Sequence, residues 1–146
     1  MPLPSAPIPG MVVRYAFLWS HEQAGGRGEA AKDRPCVVVL ATKRLSDGRF
    51  LVRVAPITHL EPGTGQGIEI PAKVKLRLGL DHDASWVILD EMNQFVWPGV
   101  DLRPVRRDTP GVWSYGILPT DIFDRIRSEL RAVLEMRMAS VLLRED

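Results

Sequence analysis

The sequence is poor in cysteine, with Cys36 the only one in 146 residues. That excludes an intramolecular disulfide and a cysteine-based zinc cluster. Cys36 stands inside an apolar run, where a thiol is expected to be an inert core group. A reactive thiolate needs an electropositive, partly open setting, and only Arg34, two residues away, could supply one. No apolar run is long enough to span a bilayer. The first ten residues hold four prolines and no basic residue, which argues against the charged start of a secretory leader. Residues 1–9 read as a flexible arm. With so little cysteine, a cytoplasmic protein is expected. Internal repeats and low-complexity tracts are absent. An excess of one charge sign is also lacking, since the formal net charge is +1, too little for a general nucleic-acid coat.

What is present is the balance of a globular protein, 45% hydrophobic and 25% charged. Residues 10–146 suit one domain with a real core. The small charge excess is uneven. Residues 1–60 carry eight Lys/Arg against four Asp/Glu, so a polyanion would favour that half, in a local groove.

Residues 11–19 are β-branched and aromatic and read as a strand opened by Gly10. A polar, Gly-rich loop, residues 20–33, follows; loops of this length are commonly functional. Residues 36–42 form a buried strand. The Asp47-Gly48 turn marks a hairpin, and residues 50–57 pair back. Three glycines, Gly63, Gly65 and Gly67, sit in a second loop. They lack the Lys-Ser/Thr and helix of a phosphate loop, so a hairpin tip is the simpler reading. Residues 68–71 alternate as a short strand, and residues 72–80 allow a helical turn. Residues 85–97 read as one further strand ended by Pro98-Gly99, and residues 101–116 as irregular. The last element is a long helix with Thr120 as candidate N-cap and Asp121 in its first turn. Ile122, Ile126, Leu130, Val133, Leu134 and Val141 recur along it at helical spacing. The expected fold class is mainly β (α+β): a small curled antiparallel sheet or barrel with a C-terminal helix. A sheet this apolar in so small a domain is expected to hide a face by forming a homodimer.

Two polar groups stand at strand mouths. Arg34-Pro35 precedes one buried strand, and Pro56-Ile57-Thr58 ends the next. With Gly10 and its strand, Glu22-Gln23 in the first loop, and the run Ser85-Trp86-Val87-Ile88-Leu89-Asp90-Glu91, their order over residues 10–97 resembles the PemK/MazF family of toxin–antitoxin endoribonucleases. The resemblance implies an SH3-like barrel, a homodimer and a growth-inhibiting enzyme that cuts single-stranded RNA without metal or other cofactor. The products it implies are a 2′,3′-cyclic phosphate and a 5′-hydroxyl. The implied catalytic pair is Arg34 and Thr58, and the implied partners are RNA and a cognate antitoxin whose tail occupies the RNA groove. Two features depart from the family pattern. Ten residues separate Gln23 from Arg34, where the family has only a few. Glu91 and Asn93 stand where a Gln and a basic residue are usual. They motivate an alternative, a non-catalytic SH3-like relative that binds RNA or a protein.

The chemistry of the pair is physically reasonable. Arg34 can give bidentate hydrogen bonds to the non-bridging oxygens of a phosphodiester, and Thr58 can orient the phosphate. One preorganised donor of this kind is worth ~3 kcal/mol of barrier. The residues alone also allow a strand-end salt bridge from Arg34 to Asp33 or Glu22. Glu22, Gln23, Arg27, Lys32 and His59 are candidate RNA contacts. Histidine is a residue type suited to proton transfer, but adjacent strand residues face opposite ways, so His59 and Thr58 share a site only if the strand has already ended. His21 is a comparable loop histidine. Asp81-His82-Asp83 looks like a metal triplet, yet adjacent residues rarely converge on one ion, and a solvated turn is the plainer reading. Arg103, Arg106 and Arg107 could touch RNA or an acidic tail, or simply be solvated. Trp97 and Trp113 could stack on bases, or be buried.

Overall fold

The computed structural model of the chain describes residues 6–19, 32–44, 46–62, 67–106, 108–109, 111–136 and 140–144. Its strands are β1 (Met11–Phe17), β2 (Lys32–Lys43), β3 (Phe50–Thr58), β4 (Gly67–Glu69), β5 (Trp86–Ile88), β6 (Glu91–Val96), β7 (Leu102–Arg103), β8 (Ser114–Ile117) and β9 (Ser140–Leu143). The helices are α1 (Ala72–Leu78) and α2 (Thr120–Glu135). The sheet runs β4-β5-β3-β2-β1-β7, with β6 on β3, β8 on β1 and β9 on β6. These pairings leave an open sheet. No helix among the described residues is long and apolar enough to cross a membrane.

The turns follow from backbone chemistry. Gly10 takes φ +91°, a conformation that only glycine adopts without strain. Its N–H donates to the Val38 carbonyl at 2.7 Å and its carbonyl accepts from Leu118 at 2.9 Å, so the chain enters β1 pinned on both sides. The Asp47-Gly48 turn joins β2 to β3 as its composition predicts: Gly48 has φ +73°, and the Asp47 carboxylate accepts from the Arg49 N–H at 3.0 Å.

Alternation along the strands divides the apolar residues between two faces. Val12, Val37, Ala55 and Ile57 pack with Ile122, Phe123, Ile126, Leu130 and Val133 of α2. Burial of side chains of this size contributes roughly 1.5–3 kcal/mol each. Met11, Val13, Tyr15, Phe17, Cys36, Val38, Val52 and Val54 point the other way and pack with Phe95, Trp97 and Leu102. No helix contributes to that second cluster; the curl of the sheet closes it.

Several local expectations change. Pro119, not Thr120, occupies the N-cap of α2, and no side chain caps the helix. The helix ends at Glu135, so Val141 is not on its apolar stripe. Instead Val141 lies in β9, parallel to β6 and opposite Met92. That strand covers an edge of β6 which would otherwise expose unpaired backbone groups. The run 85–97 breaks at Leu89-Asp90, because its two halves pair with different parts of β3: Val87 opposite Ile57, but Asn93 opposite Val54. Two short strands, β7 and β8, interrupt the segment expected to be irregular. Pro7, within the expected arm, is buried. Cys36 is fully buried, and burial pushes its thiol far above the ordinary range against the opposing pull of Arg34, as an inert core thiol requires.

Candidate active site

The hairpin brings the strand ends that carry Arg34 and Thr58 side by side. Cys36 pairs with Pro56 across β2 and β3. Cys36–Pro56 is the last pair between these two strands; Arg34 and Thr58 each lie two residues beyond it, and period-two alternation puts both on the Cys36 face. On its other side, Thr58 is opposite Trp86 of β5. Arg34 is likewise flanked by Tyr15 of β1. Both residues therefore sit within four neighbouring strands, β5-β3-β2-β1, rather than on a loose end.

Thr58 is nearly buried, at 9% exposure. Its Oγ1 accepts a hydrogen bond from the Leu60 N–H at 3.2 Å, which leaves the hydroxyl hydrogen and a second lone pair for other use. Arg34 is half-buried. Its guanidinium lies over the Trp19 ring, 5.3 Å from the centroid, within cation–π range. Its Nε is buried and has no hydrogen-bond partner among the described residues. The salt bridge to Asp33 that the sequence allowed is absent. Asp33, one residue along and on the opposite face, approaches Arg14 at 3.7 Å and Arg103 at 3.8 Å instead. A half-buried guanidinium held against an aromatic ring, with no carboxylate partner among the described residues, has the chemistry to receive an anion.

The proposed accessory residues fall into three groups. Glu22, Gln23 and Arg27 lie outside the described residues, as do His21 and Arg107. Lys32 opens β2, exposed and opposite Phe17. His59 points away from Thr58, as alternation requires, and joins a separate polar cluster. Its Nε2 is 2.8 Å from Asp81 Oδ2 and its Nδ1 is 3.1 Å from Ser85 Oγ. Lys75 Nζ donates to Asp81 Oδ1 and Ser85 Oγ, each at 2.7 Å, and to the Asp83 carbonyl.

This second cluster has the order of a nucleophile, base and acid, but not the chemistry. Ser85 is 1% exposed and its oxygen accepts from an ammonium, which suppresses nucleophilicity. The metal triplet also dissolves. The ligand atoms that converge within 4.8 Å belong to His59, Asp81 and Asp83, not to His82. The buried Lys75 ammonium already fills the cation's role there. Partial burial pushes the Asp81 carboxyl up, but the Lys75 hydrogen bond and charge, with His59, hold it below its ordinary value. The cluster is a clasp joining the end of β3, α1 and the start of β5.

Two residues near the site, Trp19 and Arg144, had no role in the sequence reading, and a third, Asn93, entered it only as a departure from the family pattern. Trp19, counted there only as strand, is the platform under Arg34. Asn93, which stands where a basic residue is usual, is fully buried. It grips the backbone of Leu18, accepting from its N–H at 2.9 Å and donating to its carbonyl at 2.8 Å. Arg144 also donates to Asn93 Oδ1, at 2.7 Å. An amide followed four residues on by a tryptophan is a weak signal; an arginine directly after Val-Leu-Leu was a better one. Trp97 is buried, at 3% exposure, and stacks on Phe95. It is a core residue rather than a base platform.

No protein-family model and no curated protein sequence matches the chain. Solved structures do. A crystal structure of MazF from Deinococcus radiodurans matches with a TM-score of 0.58 at 19% identity, covering 91% of this chain and 100% of that one. Two MazE-MazF crystal forms from the same organism match with TM-scores of 0.55 and 0.53, at 18% and 19% identity, covering 89% and 90% of this chain and 97% of each of theirs. The fold is that of MazF. At this identity the likeness concerns backbone architecture, and the MazF-like fold here carries Arg34 and Thr58 on its central hairpin.

Proposed function

We propose that the protein is a MazF-like toxin, an endoribonuclease that cuts single-stranded RNA through the RNA's own 2′-hydroxyl. The observation that supports this reading is that Arg34 and Thr58 each lie two residues beyond the Cys36–Pro56 pair on adjacent strands, the arginine having no acidic partner among the described residues. In the reaction the 2′-oxygen attacks phosphorus, the P–O5′ bond breaks, and the products are a 2′,3′-cyclic phosphate and a 5′-hydroxyl. Charge builds on the non-bridging oxygens of the phosphorane, and the Arg34 fork is suited to receive it. The Thr58 hydroxyl orients the same phosphate. Its tie to Leu60 reduces the freedom it would lose on binding. Neither group requires a metal ion. Lys32, exposed on the approach to Arg34, is suited to a backbone phosphate. Glu22, Gln23 and Arg27 complete the proposed RNA contacts; His59, expected among them from the sequence, is engaged instead with Asp81 and Ser85.

The MazE-MazF assemblies with the same fold support a cognate antitoxin as partner, and we extend the proposal to a homodimer of 16.3 kDa chains. The decisive experiment incubates purified protein with RNA in EDTA and identifies the ends of the fragments by mass spectrometry. Cyclic phosphates from the wild type, lost in Arg34→Ala, are expected. RNA that is bound but left intact would favour the non-catalytic reading instead. Asn93 supports that reading, because the usual basic position is here buried in a backbone grip.

A further inference from the structure

Arg34 is one of two arginines laid against the same band of aromatic rings. Tyr15, Phe17 and Trp19 alternate onto one face of β1 and its extension. Phe17 and Trp19 meet edge to face at 5.2 Å, and Tyr15 stacks on Phe95 at 4.7 Å. Arg34 covers Trp19, and Arg144 covers Tyr15, with its Cζ 5.6 Å from the ring centroid. The two differ in what else they hold. Arg144 is held by protein acceptors: it donates to the Ala16 carbonyl at 3.0 Å, to Asn93 Oδ1 at 2.7 Å and to Asp101 Oδ2 at 2.9 Å.

The bonds of Arg144 and Asn93 converge on the segment from Ala16 to Leu18. Ala16 is held by Arg144 through its carbonyl and by Asp101 through its N–H, which donates to the Asp101 carbonyl at 2.9 Å. Leu18 is held through both backbone groups by Asn93. Trp19 is the next residue. Its backbone is thus aimed by a buried polar lattice, although it lies beyond the last paired residue of β1, Phe17. A lattice of charge-assisted bonds at low dielectric is stiff. Such stiffness at Leu18 has no use for Leu18 itself, whose side chain is an ordinary buried one.

We infer that Asn93 and Arg144 form a clamp whose product is the orientation of Trp19, and that Trp19 in turn is a positioning residue for the Arg34 guanidinium. The inference rests on the proposed role of Arg34. It adds a task for the C-terminal strand β9, which ends in Arg144: the strand closes the sheet and also sets the site. Trp19 restricts the guanidinium plane from one side, so that its free edges face the phosphate position beside Thr58. The buried Nε of Arg34 needs this restraint because no protein acceptor among the described residues supplies it.

The test pairs a structural readout with a kinetic one. The Nε–Hε resonance of Arg34, assigned by its loss in Arg34→Lys, reports the ring current of Trp19 in the intact protein without RNA. Expected results are a shift of that resonance in Trp19→Ala and in Arg144→Met. Each should lower kcat about ten- to hundredfold, with KM within about twofold, as for a misaimed rather than missing group. Trp19→Phe should restore most of kcat. An unchanged resonance and unchanged kcat in folded Arg144→Met overturn the clamp. If Arg144→Met does not fold, Trp19→Ala decides alone, and an unmoved resonance there overturns the proposal. If wild type cuts no RNA yet the resonance moves in both variants, the clamp stands and the nuclease reading falls.

Discussion

Thr58 and His59 are neighbours in sequence and belong to opposite chemistries. On the His59 side every polar group has an answer: Lys75 reaches Asp81, Ser85 and the Asp83 carbonyl, and His59 reaches Asp81 and Ser85. On the Thr58 side, Arg34 has an aromatic ring and an Nε that no described residue answers. A closed polar network stabilises a fold but has nothing left to give a ligand. A half-open one gives up stability and keeps donors available. Judged by residue type alone, the His59 cluster would be the better active site. Judged by satisfaction, it is the structural one.

The comparison is broken most sharply by Arg34→Ala. Loss of a preorganised donor to the phosphorane should reduce RNA cleavage about 10²–10³-fold, or ~3–4 kcal/mol of barrier. The same change removes no ion pair within the described structure, only the cation–π contact with Trp19, so the thermal midpoint should fall little. A variant that unfolded readily while retaining activity would place Arg34 in the structural class with Lys75.

Thr58→Val is next in size. It keeps the shape and removes the hydroxyl. A hydrogen bond to a charged partner is worth about 1.5–3 kcal/mol, so cleavage should drop roughly ten- to hundredfold, with Thr58→Ser retaining most of it. The unpaired Leu60 N–H costs the fold little, because Leu60 is 78% exposed. Equal activity of Thr58→Val and wild type in single-turnover assays would remove Thr58 from the site.

How much of this was legible follows from the range of the signals. The hairpin was, because Asp47-Gly48 lies between two β-branched runs. The α2 stripe was legible as far as Leu130 and Val133. It was carried too far, to Val141, because a helical repeat and a short Val-Leu-Leu strand share apolar residues and differ only in what they pair with. The Asn93–Arg144 lattice was not legible. It joins residues 51 apart, and Leu18 to Asn93 across 75, through backbone atoms that no side-chain pattern encodes. Nor was the Lys75 clasp, in which a helix lysine meets a loop aspartate only after β5 has docked on β3.

The closed side responds in stability. Lys75→Met keeps the buried stem and removes the ammonium, leaving Ser85 and the Asp83 carbonyl without their donor. The cost is about 1–3 kcal/mol, tempered because Asp81 is half in water. A lower urea midpoint with kcat within about twofold of wild type is expected. A large fall in kcat for molecules shown to be folded would mean that the clasp also serves the site, and the division between the faces would fail.

The smallest effect concerns two carboxylates shifted in opposite directions. Asp81 is partly desolvated but held low by Lys75 and His59. Asp90 is raised by burial and by the charge of Glu91, against a backbone hydrogen bond that lowers it. For Asp81 the unfolded chain binds the proton more tightly than the folded one. Its contribution is therefore present above the ordinary aspartate range near about pH 4 and is lost as pH falls through the lowered folded value. Asp90 has the reverse linkage: its charge opposes folding at neutral pH, and the penalty disappears as the group protonates. Urea midpoints from pH 7 to 3 should show Asp81→Asn less stable than wild type at neutral pH and Asp90→Asn slightly more stable. Both differences should shrink toward the acid end. The Asp81 effect is screened by its exposure, so its sign rather than its size is the test. Two variants that shift the neutral midpoint in the same direction would show that Lys75 does not govern Asp81, and the saturated face would then be as loosely held as the one around Arg34.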